Sequence, residues 1–444
     1  MSAFVLRGRR VVTPRGIHAA AVRIEGGVIR AVSNWADVDP PTAVVDVDDA
    51  IIMPGLVDTH VHVNEPGRSA WEGFETATRA AAAGGVTTLL DMPLNSIPAT
   101  TTVAALDAKR RSAKAHCWVN VGFIGGVVPG NAQEIRPLHD AGVRTFKCFL
   151  VPSGVDEFPA VSEDDLREAL PTLAELGAPL MVHAELPTLI ADVSGRDQRC
   201  YATWLASRPD VSEVRAVEMM VSLAEEFGAR VHIVHLSTER SLRALREARA
   251  RGVAVSAETC PHYLTFSAEE IGDGATSFKC APPIRVANTR EALWRALVAG
   301  DIDGVVSDHS PCPPELKCES SGNFFDAWGG ISSLQLGLSA IWDGARSRGI
   351  PVERIAAWMS AAPAKLAGLD KSKGRIEPGY DADIVVWDAD STIVVDPQML
   401  QHRHKVTPYI GRKLHGEVLA TYVGGRVVYE KGRIVGAPAG KLLT

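Results

Sequence analysis

Residues 57–63 read VDTHVHV, an apolar run in which two histidines are separated by one valine. Along an extended strand successive side chains alternate faces, so His60 and His62 point the same way and can share one ion. The run also marks a change of texture. Before it, FVLRGRRVVTP (4–14), AAVRIEGGVIRAVS (20–33) and AVVDVDDAIIMPG (43–55) alternate short β-like runs with turn signals, the pattern of a small sheet unit. After it, apolar β-rich runs alternate with stretches of helical period rich in Ala, Leu, Glu and Arg.

With VDTHVHV as the first of eight strand candidates, the others are TTLLDMP (87–93), CWVNVGFIGG (117–126), TFKCFL (145–150), PLMVHAE (179–185), RVHIVHLS (230–237), AVSAETCPH (254–262) and DGVVSDHS (303–310). Helix-length segments such as WEGFETATRAAAAGG (71–85), SEDDLREALPTLAEL (162–176) and STERSLRALREARARG (237–252) separate most of them. The pattern predicts an α/β fold, a TIM-like (β/α)8 barrel. It fades near residue 370, where GRIEPGYDADIVVWD (374–388), STIVVD (391–396) and LATYVGGRVVYEKGRIVG (419–436) return to strand texture. Both ends look alike. The expectation is therefore a small β-sandwich domain assembled from residues 1–53 and 372–444, with the barrel, residues 54–371, inserted between its two parts.

At 444 residues with 46% hydrophobic side chains, the chain can bury a large core without disulfides or a structural metal. A net charge of -7, with no zinc-finger spacing and no basic run interleaved with aromatics, argues against nucleic acid as a partner. No stretch approaches the roughly 18 apolar residues of a membrane span, so a membrane is not expected and a cytoplasmic location is. Seven cysteines scattered from Cys117 to Cys318 read as reduced thiols.

In such a barrel the functional groups sit at the C-terminal ends of the strands. His60 and His62 end the first, Lys147 lies in the fourth, His183 ends the fifth, His235 the sixth and Asp308 the eighth, so six polar groups converge on one mouth. Most have a plainer reading alone, His183 and His235 as hydrogen-bonded core histidines and Asp308 as an N-cap. Lys147 is harder, because an ammonium in an apolar strand is almost never fully buried unless paired. Two readings stay open for it: an ion pair with a nearby carboxylate, or reaction of the amine with carbon dioxide to give a carbamate, an anionic group whose two oxygens can bridge two cations.

PGLVDTHVHVNEPG (54–67), FKCFLVPSGVDEFP (146–159), VHAE (182–185), IVHLS (233–237), ETCPHYLTF (258–266), CAPPIR (280–285) and SDHSPC (307–312) resemble the barrel motifs of the binuclear-metal cyclic amidohydrolases. The likeness covers essentially the whole chain, down to RHKVTPYIGRKLHGEV (403–418). It implies an enzyme that opens a ring amide with water, using two divalent metal ions on His60, His62, Lys147 as N6-carboxylysine, His183, His235 and Asp308. Zinc suits these ligand types first, and manganese, cobalt, nickel or iron suit them too. Metal charge lowers the pKa of bound water, and Asp308 is then the group that carries its proton to the departing ring nitrogen. The resemblance also implies a homotetramer.

Within that family Asn64 with Glu65, DMPLNSIPATT (91–101) and WEGFETATRAAAAGG resemble the allantoinase branch more than the dihydropyrimidinase and hydantoinase branch, implying a small cyclic ureide as substrate. Dihydroorotase-like sequences place an arginine where Asn64 stands, and an amide cannot supply that charged fork, although Arg68 lies nearby. A relative that kept the fold and lost its metals is opposed by the presence of all six ligand types. Ring contacts in the family come largely from loop backbone, which implies Ser153, Cys280 and Gly330 as substrate-binding positions beside Asn64. Asn64 reads equally as a turn residue ahead of Pro66 and Gly67. SPCPPELKCESSGNFFDAWGG (310–330) reads as a lid rather than a zinc site on Cys312 and Cys318. His262 reads as support or packing, His309 as facing away, and His402, His404 and His415 as surface or interface residues.

Overall fold

The structure, a computed structural model, describes residues 3–38 and 42–443. The leading segment forms β1 (Phe4–Thr13), β2 (Gly16–Glu25), β3 (Val28–Asn34), β4 (Ala43–Asp46) and β5 (Ile51–Pro54). The middle carries β6 (Leu56–Val61), β7 (Val86–Asp91), β8 (Asn120–Phe123), β9 (Gly125–Gly126), β10 (Phe146–Phe149), β11 (Leu180–His183), β12 (Val231–Ile233), β13 (Val255–Thr259) and β14 (Gly304–Val305). The chain ends with β15 (Ile384–Val394), β16 (Lys413–Val423), β17 (Arg426–Glu430) and β18 (Arg433–Ile434).

The two ends of the chain share one nine-stranded sheet in the order β18-β17-β16-β15-β5-β1-β2-β3, with β4 also beside β1. The seam is the antiparallel pairing of β5 with β15, from Ile51 opposite Trp387 to Pro54 opposite Ile384. Phe4 on β1 stacks on Tyr422 of β16 with ring centroids 6.2 Å apart, although two strands lie between them in the sheet. The sheet therefore curls over its own apolar filling, in which Leu6, Val22, Ile29, Ile52, Ile384 and Val386 are buried. That is the sandwich the sequence predicts.

Every one of the eight predicted barrel runs contains a strand, and all of their pairings are parallel. The third run turns at Ile124, so that β8 pairs with β7 and β9 pairs with β10. The circle closes where Val61 bridges to His309 in parallel and the His62 amide donates to the His309 carbonyl at 2.8 Å. Pairing in the sixth and eighth runs stops at Ile233 and Val305, short of His235 and Asp308. Those two residues bend into the left-handed region, with φ of 39° and 45°. The covering helices start and stop as their sequences direct. Glu163–Leu176 opens on a reciprocal Ser162–Asp165 cap, buries Leu166, Ala169, Leu170 and Leu173, and ends at Gly177 with φ 62°. Among the described residues no helix is long and apolar enough to cross a membrane.

Asp383 pins the sheet to the barrel. Its Oδ2 accepts from Lys373 Nζ at 2.6 Å and from Asn120 Nδ2, on β8, at 2.9 Å, and its Oδ1 accepts from the Gly424 amide at 2.7 Å. The C-terminal tail fills the remaining edge of β8: the Gly440 amide donates to the Cys117 carbonyl at 3.0 Å, and the Leu443 amide to that of Val121 at 2.8 Å. A side chain at 440 would put its Cβ 1.9 Å from the Val119 carbonyl oxygen. Gly440→Ala is therefore expected to lift the tail and lower stability by about 1–3 kcal/mol. Denaturant unfolding checks this, and an unchanged midpoint would show that the tail contributes nothing.

Candidate active site and metal centre

Side chains at the C-terminal ends of the barrel strands surround a cavity of about 360 Å³ whose floor carries His60, His62, His183, His235 and Asp308. His60 Nε2 lies 3.2 Å and His62 Nε2 3.5 Å from Asp308 Oδ1, so the alternation of β6 aims both rings at one carboxylate. The His235 ring centroid is 5.4 Å from that of His60 and 4.6 Å from that of His183. His60, His235 and Asp308 offer ligand atoms within 4.8 Å of one another. All six of the expected ligand positions are buried, and Lys147 lies under the cluster on β10.

Three of the four imidazoles are gripped from behind through one ring nitrogen, leaving the other for the mouth. Glu258 Oε1 meets His60 Nδ1 at 2.9 Å, the Asn95 amide meets His62 Nδ1 at 3.3 Å, and Glu185 Oε2 meets His183 Nε2 at 2.6 Å. Burial, foremost, pushes the pKa of His62 down to about 4, and with neighbouring positive charge it lowers those of His183 and His235 as well. Neutral rings keep a lone pair, which is what a metal ligand requires. Burial works to raise the Asp308 pKa, yet His60 and His62 outweigh it and hold the carboxyl ionised.

Lys147 is the unusual member. Its Nζ is buried without a hydrogen-bond partner among the described residues, 4.8 Å from the centroid of the Phe149 ring. Burial lowers the pKa of this amine to about 8. No carboxylate among the described residues hydrogen-bonds the amine, although the charges of Asp308 and Glu258 act to keep it protonated. Neutral imidazoles, an ionised aspartate and a partnerless buried amine form a donor set that could hold metal ions. A second group, Cys260, His262 and Asp308, also has ligand atoms within 4.8 Å of one another, and neither nitrogen of the buried His262 ring has a hydrogen-bond partner among the described residues. Neither group includes Cys312 or Cys318.

Of the expected substrate positions, Ser153, Cys280 and Gly330 line the cavity. Ser153 turns its hydroxyl back to the Phe158 carbonyl at 2.6 Å, leaving loop backbone toward the cavity. A Cβ on Gly330 would lie 2.4 Å from the Ser310 carbonyl oxygen, so only glycine lets the 310–330 loop return this closely. Asn64 is not among the cavity-lining residues. It is buried with φ 66°, and its Nδ2 donates to the Pro311 carbonyl at 3.2 Å, the behaviour of a turn residue that ties the first loop to the lid. Arg68 is engaged by Glu157 and by the Asn95 carbonyl.

The 310–330 loop roofs the cavity through Leu316 and Phe325–Gly330. Two buried lysines clasp it: Lys317 Nζ donates to the carbonyls of Trp328, at 3.1 Å, and Gly330, and Lys279 Nζ to those of Phe325, at 3.2 Å, and Ala327. The sequence reading missed both lysines, and Arg208, Asn95, Glu185 and Glu258 with them. Glu258 carried a usable signal, a carboxylate inside an apolar strand, the same that exposed Lys147. His309 points away from the mouth as expected, its Nδ1 accepting from the Ser333 amide at 3.2 Å. His402 corrects the expectation of a surface residue: it is fully buried, its ring 5.6 Å from that of His309, because the 400–409 segment packs under the barrel rim. His404 and His415 are partly exposed and bonded to the Ala70 carbonyl and Asp343.

Comparison with known proteins agrees with this geometry. Residues 51–428 match the model of the Amidohydrolase family, and the chain belongs to that family. The curated relatives narrow the branch. The chain is 50% identical to an allantoinase from Streptomyces avermitilis, over 99% of this chain and 98% of the relative. It is 45% identical to an allantoinase from Arabidopsis thaliana, over 98% and 90%. Among solved structures, the L-hydantoinase (dihydropyrimidinase) from Arthrobacter aurescens superposes with a TM-score of 0.93 at 32% identity, covering both chains completely.

The clasp on the lid generates a test. Lys317→Met removes both donated hydrogen bonds, each worth about 1.5–3 kcal/mol when the donor is charged. A rise in KM of about 10-fold or more is expected from steady-state kinetics, and an unaltered KM would mean that the lid stays seated without Lys317.

Proposed function

We propose that the chain is an allantoinase, which opens the hydantoin ring of allantoin, a small cyclic ureide, to give allantoate. The observation that carries this reading is the convergence of His60, His62, His183, His235 and Asp308 on one cavity, with Lys147 buried close enough for its charge to act on His62 and His235, in a chain up to 50% identical to allantoinases over nearly its whole length. His60, His62, Lys147, His183, His235 and Asp308 would together hold two divalent cations, with zinc the first choice by ligand type. Lys147 would serve as its carbamate, formed when Nζ bonds to the carbon of carbon dioxide and releases one proton, and would supply anionic oxygens to the cations. Bound there, the cations supply positive charge that lowers the pKa of water and polarises the ring carbonyl.

The chain's own groups do the rest. Asp308, ionised and in contact with both His60 and His62, accepts a proton from the attacking water and delivers it to the ring nitrogen as the amide bond breaks. Loop backbone at Ser153, Cys280 and Gly330 borders the ring, and the clasped lid excludes bulk water. The barrel, residues 54–371, carries all of this, and residues 1–53 and 372–444 make the second domain. Free cysteines throughout suit a cytoplasmic enzyme, and we assign it a homotetramer on the family resemblance.

The hydantoinase likeness supports a second substrate reading, since a dihydropyrimidinase would use the same six residues. Assay of allantoin beside hydantoin and dihydrouracil separates them: allantoin is expected to show the highest kcat/KM, and preference for dihydrouracil would move the assignment. Lys147→Ala is expected to bind fewer than two cations and to lose on the order of a thousandfold in kcat, matching several kcal/mol of charge stabilisation. Metal analysis that finds both cations retained would overturn the role given to Lys147.

A further inference from the structure

Two carboxylates grip metal-facing histidines from behind, and they are balanced differently. Glu185 has a cation of its own, Arg208, at 2.7 Å. Glu258 is answered by imidazoles instead. Its Oε1 meets His60 Nδ1 at 2.9 Å, while His232 Nε2 lies 3.0 Å from its Oε2, off the straight hydrogen-bond line. Thr59 Oγ1 donates to Oε2 from 3.4 Å. His232 Nδ1 in turn meets Ser256 Oγ at 2.7 Å. His60, Glu258 and His232 are buried. His232, Ser256 and Glu258 border a second cavity of about 410 Å³, whose wall includes Pro179, Arg230 and Asp303, the residues just before β11, β12 and β14. The series therefore crosses the barrel interior from the mouth to the opposite end.

We propose that Glu258, backed by His232, is a positioning residue that fixes the tautomer of His60. A carboxylate only accepts hydrogen bonds, so the His60 proton must sit on Nδ1, and Nε2 is left with its lone pair toward Asp308. The same logic runs down the series. The Glu258 carboxylate, 3.0 Å from His232 Nε2, favours the His232 proton on that nitrogen, which leaves Nδ1 to accept from the Ser256 hydroxyl. Each group has one donor state that suits both neighbours, and every choice ends in a bare His60 Nε2 at the mouth. A carboxylate behind a metal-bound histidine also raises its basicity, and loss of such a partner weakens metal binding about 10–100-fold.

The inference rests on the metal role proposed for His60, and the test separates the two. Metal-free wild type, Glu258→Gln and His232→Gln are reconstituted with cobalt(II). Cobalt retained against a competing chelator, the visible cobalt spectrum and the melting point of the metal-free form are then measured. Glu258→Gln keeps the volume and removes the charge. It is expected to hold cobalt about 10–100-fold more weakly, with an altered spectrum and an unchanged metal-free melting point. His232→Gln, which leaves Thr59 on Glu258, is expected to shift retention in the same direction by less. Wild-type retention and spectrum in both variants would overturn the proposal, as would weakening that only follows a lower metal-free melting point. Wild-type protein that takes up no cobalt would overturn the metal reading itself.

Discussion

A buried amine with nothing to bond is the constraint around which this barrel is arranged. Lys147 sits on β10 with Nζ out of reach of solvent and without a hydrogen-bond partner among the described residues. An uncompensated charge in such a place costs several kcal/mol, far more than a surface ion pair returns. The neighbours do not cure it, since Asp308 and Glu258 act on it only through their charge, and the rings around it are imidazoles and that of Phe149. What they do is converge. Neutral rings and one ionised carboxylate share a floor beside an amine pushed toward neutrality, a set whose lone pairs divalent cations would satisfy.

Much of this was legible before any coordinates. The period-two alternation of VDTHVHV correctly aimed His60 and His62 at one point, and the spacing of apolar runs gave all eight barrel positions. A charged residue in an apolar strand proved the strongest single signal, because burial makes such a residue need a reason. It exposed Lys147. Applied to AVSAETC, it would have exposed Glu258 as well. Other features left no mark in the string. The likeness of the two ends predicts that they share one unit, but that β5 and β15, more than 300 positions apart, are the strands that meet shows only in the closed structure. Asn64 had two equal readings, and its left-handed backbone and its bond to the Pro311 carbonyl favour the turn. Lys317 ends a short 3-10 helix and Lys279 follows another, in connecting segments where a lysine is ordinarily solvated, so nothing distinguished them until their carbonyl partners were in view.

The placement of His235 and Asp308 shows how the scaffold reaches its site. Neither belongs to a strand ladder, and both adopt a left-handed backbone that costs on the order of 1–3 kcal/mol outside glycine. Such a bend persists only when its surroundings over-determine it. Around His235, the Val234 amide donates to the Val182 carbonyl at 3.3 Å, that of Leu236 to the Glu258 carbonyl at 2.8 Å, and that of Ser237 to Glu213 Oε1 at 2.8 Å. Around Asp308, the Ser307 amide donates to Asp58 Oδ2 at 3.1 Å, that of His309 to Ser307 Oγ at 3.1 Å, and that of Ser310 to the Ile331 carbonyl at 3.2 Å. Each bend is therefore clamped by the residues on both sides of it. The rigidity of the parallel ladder is carried past its last pairing by these strand, side-chain and loop acceptors, and that extension is what brings two residues from separated strands to the same point as His60.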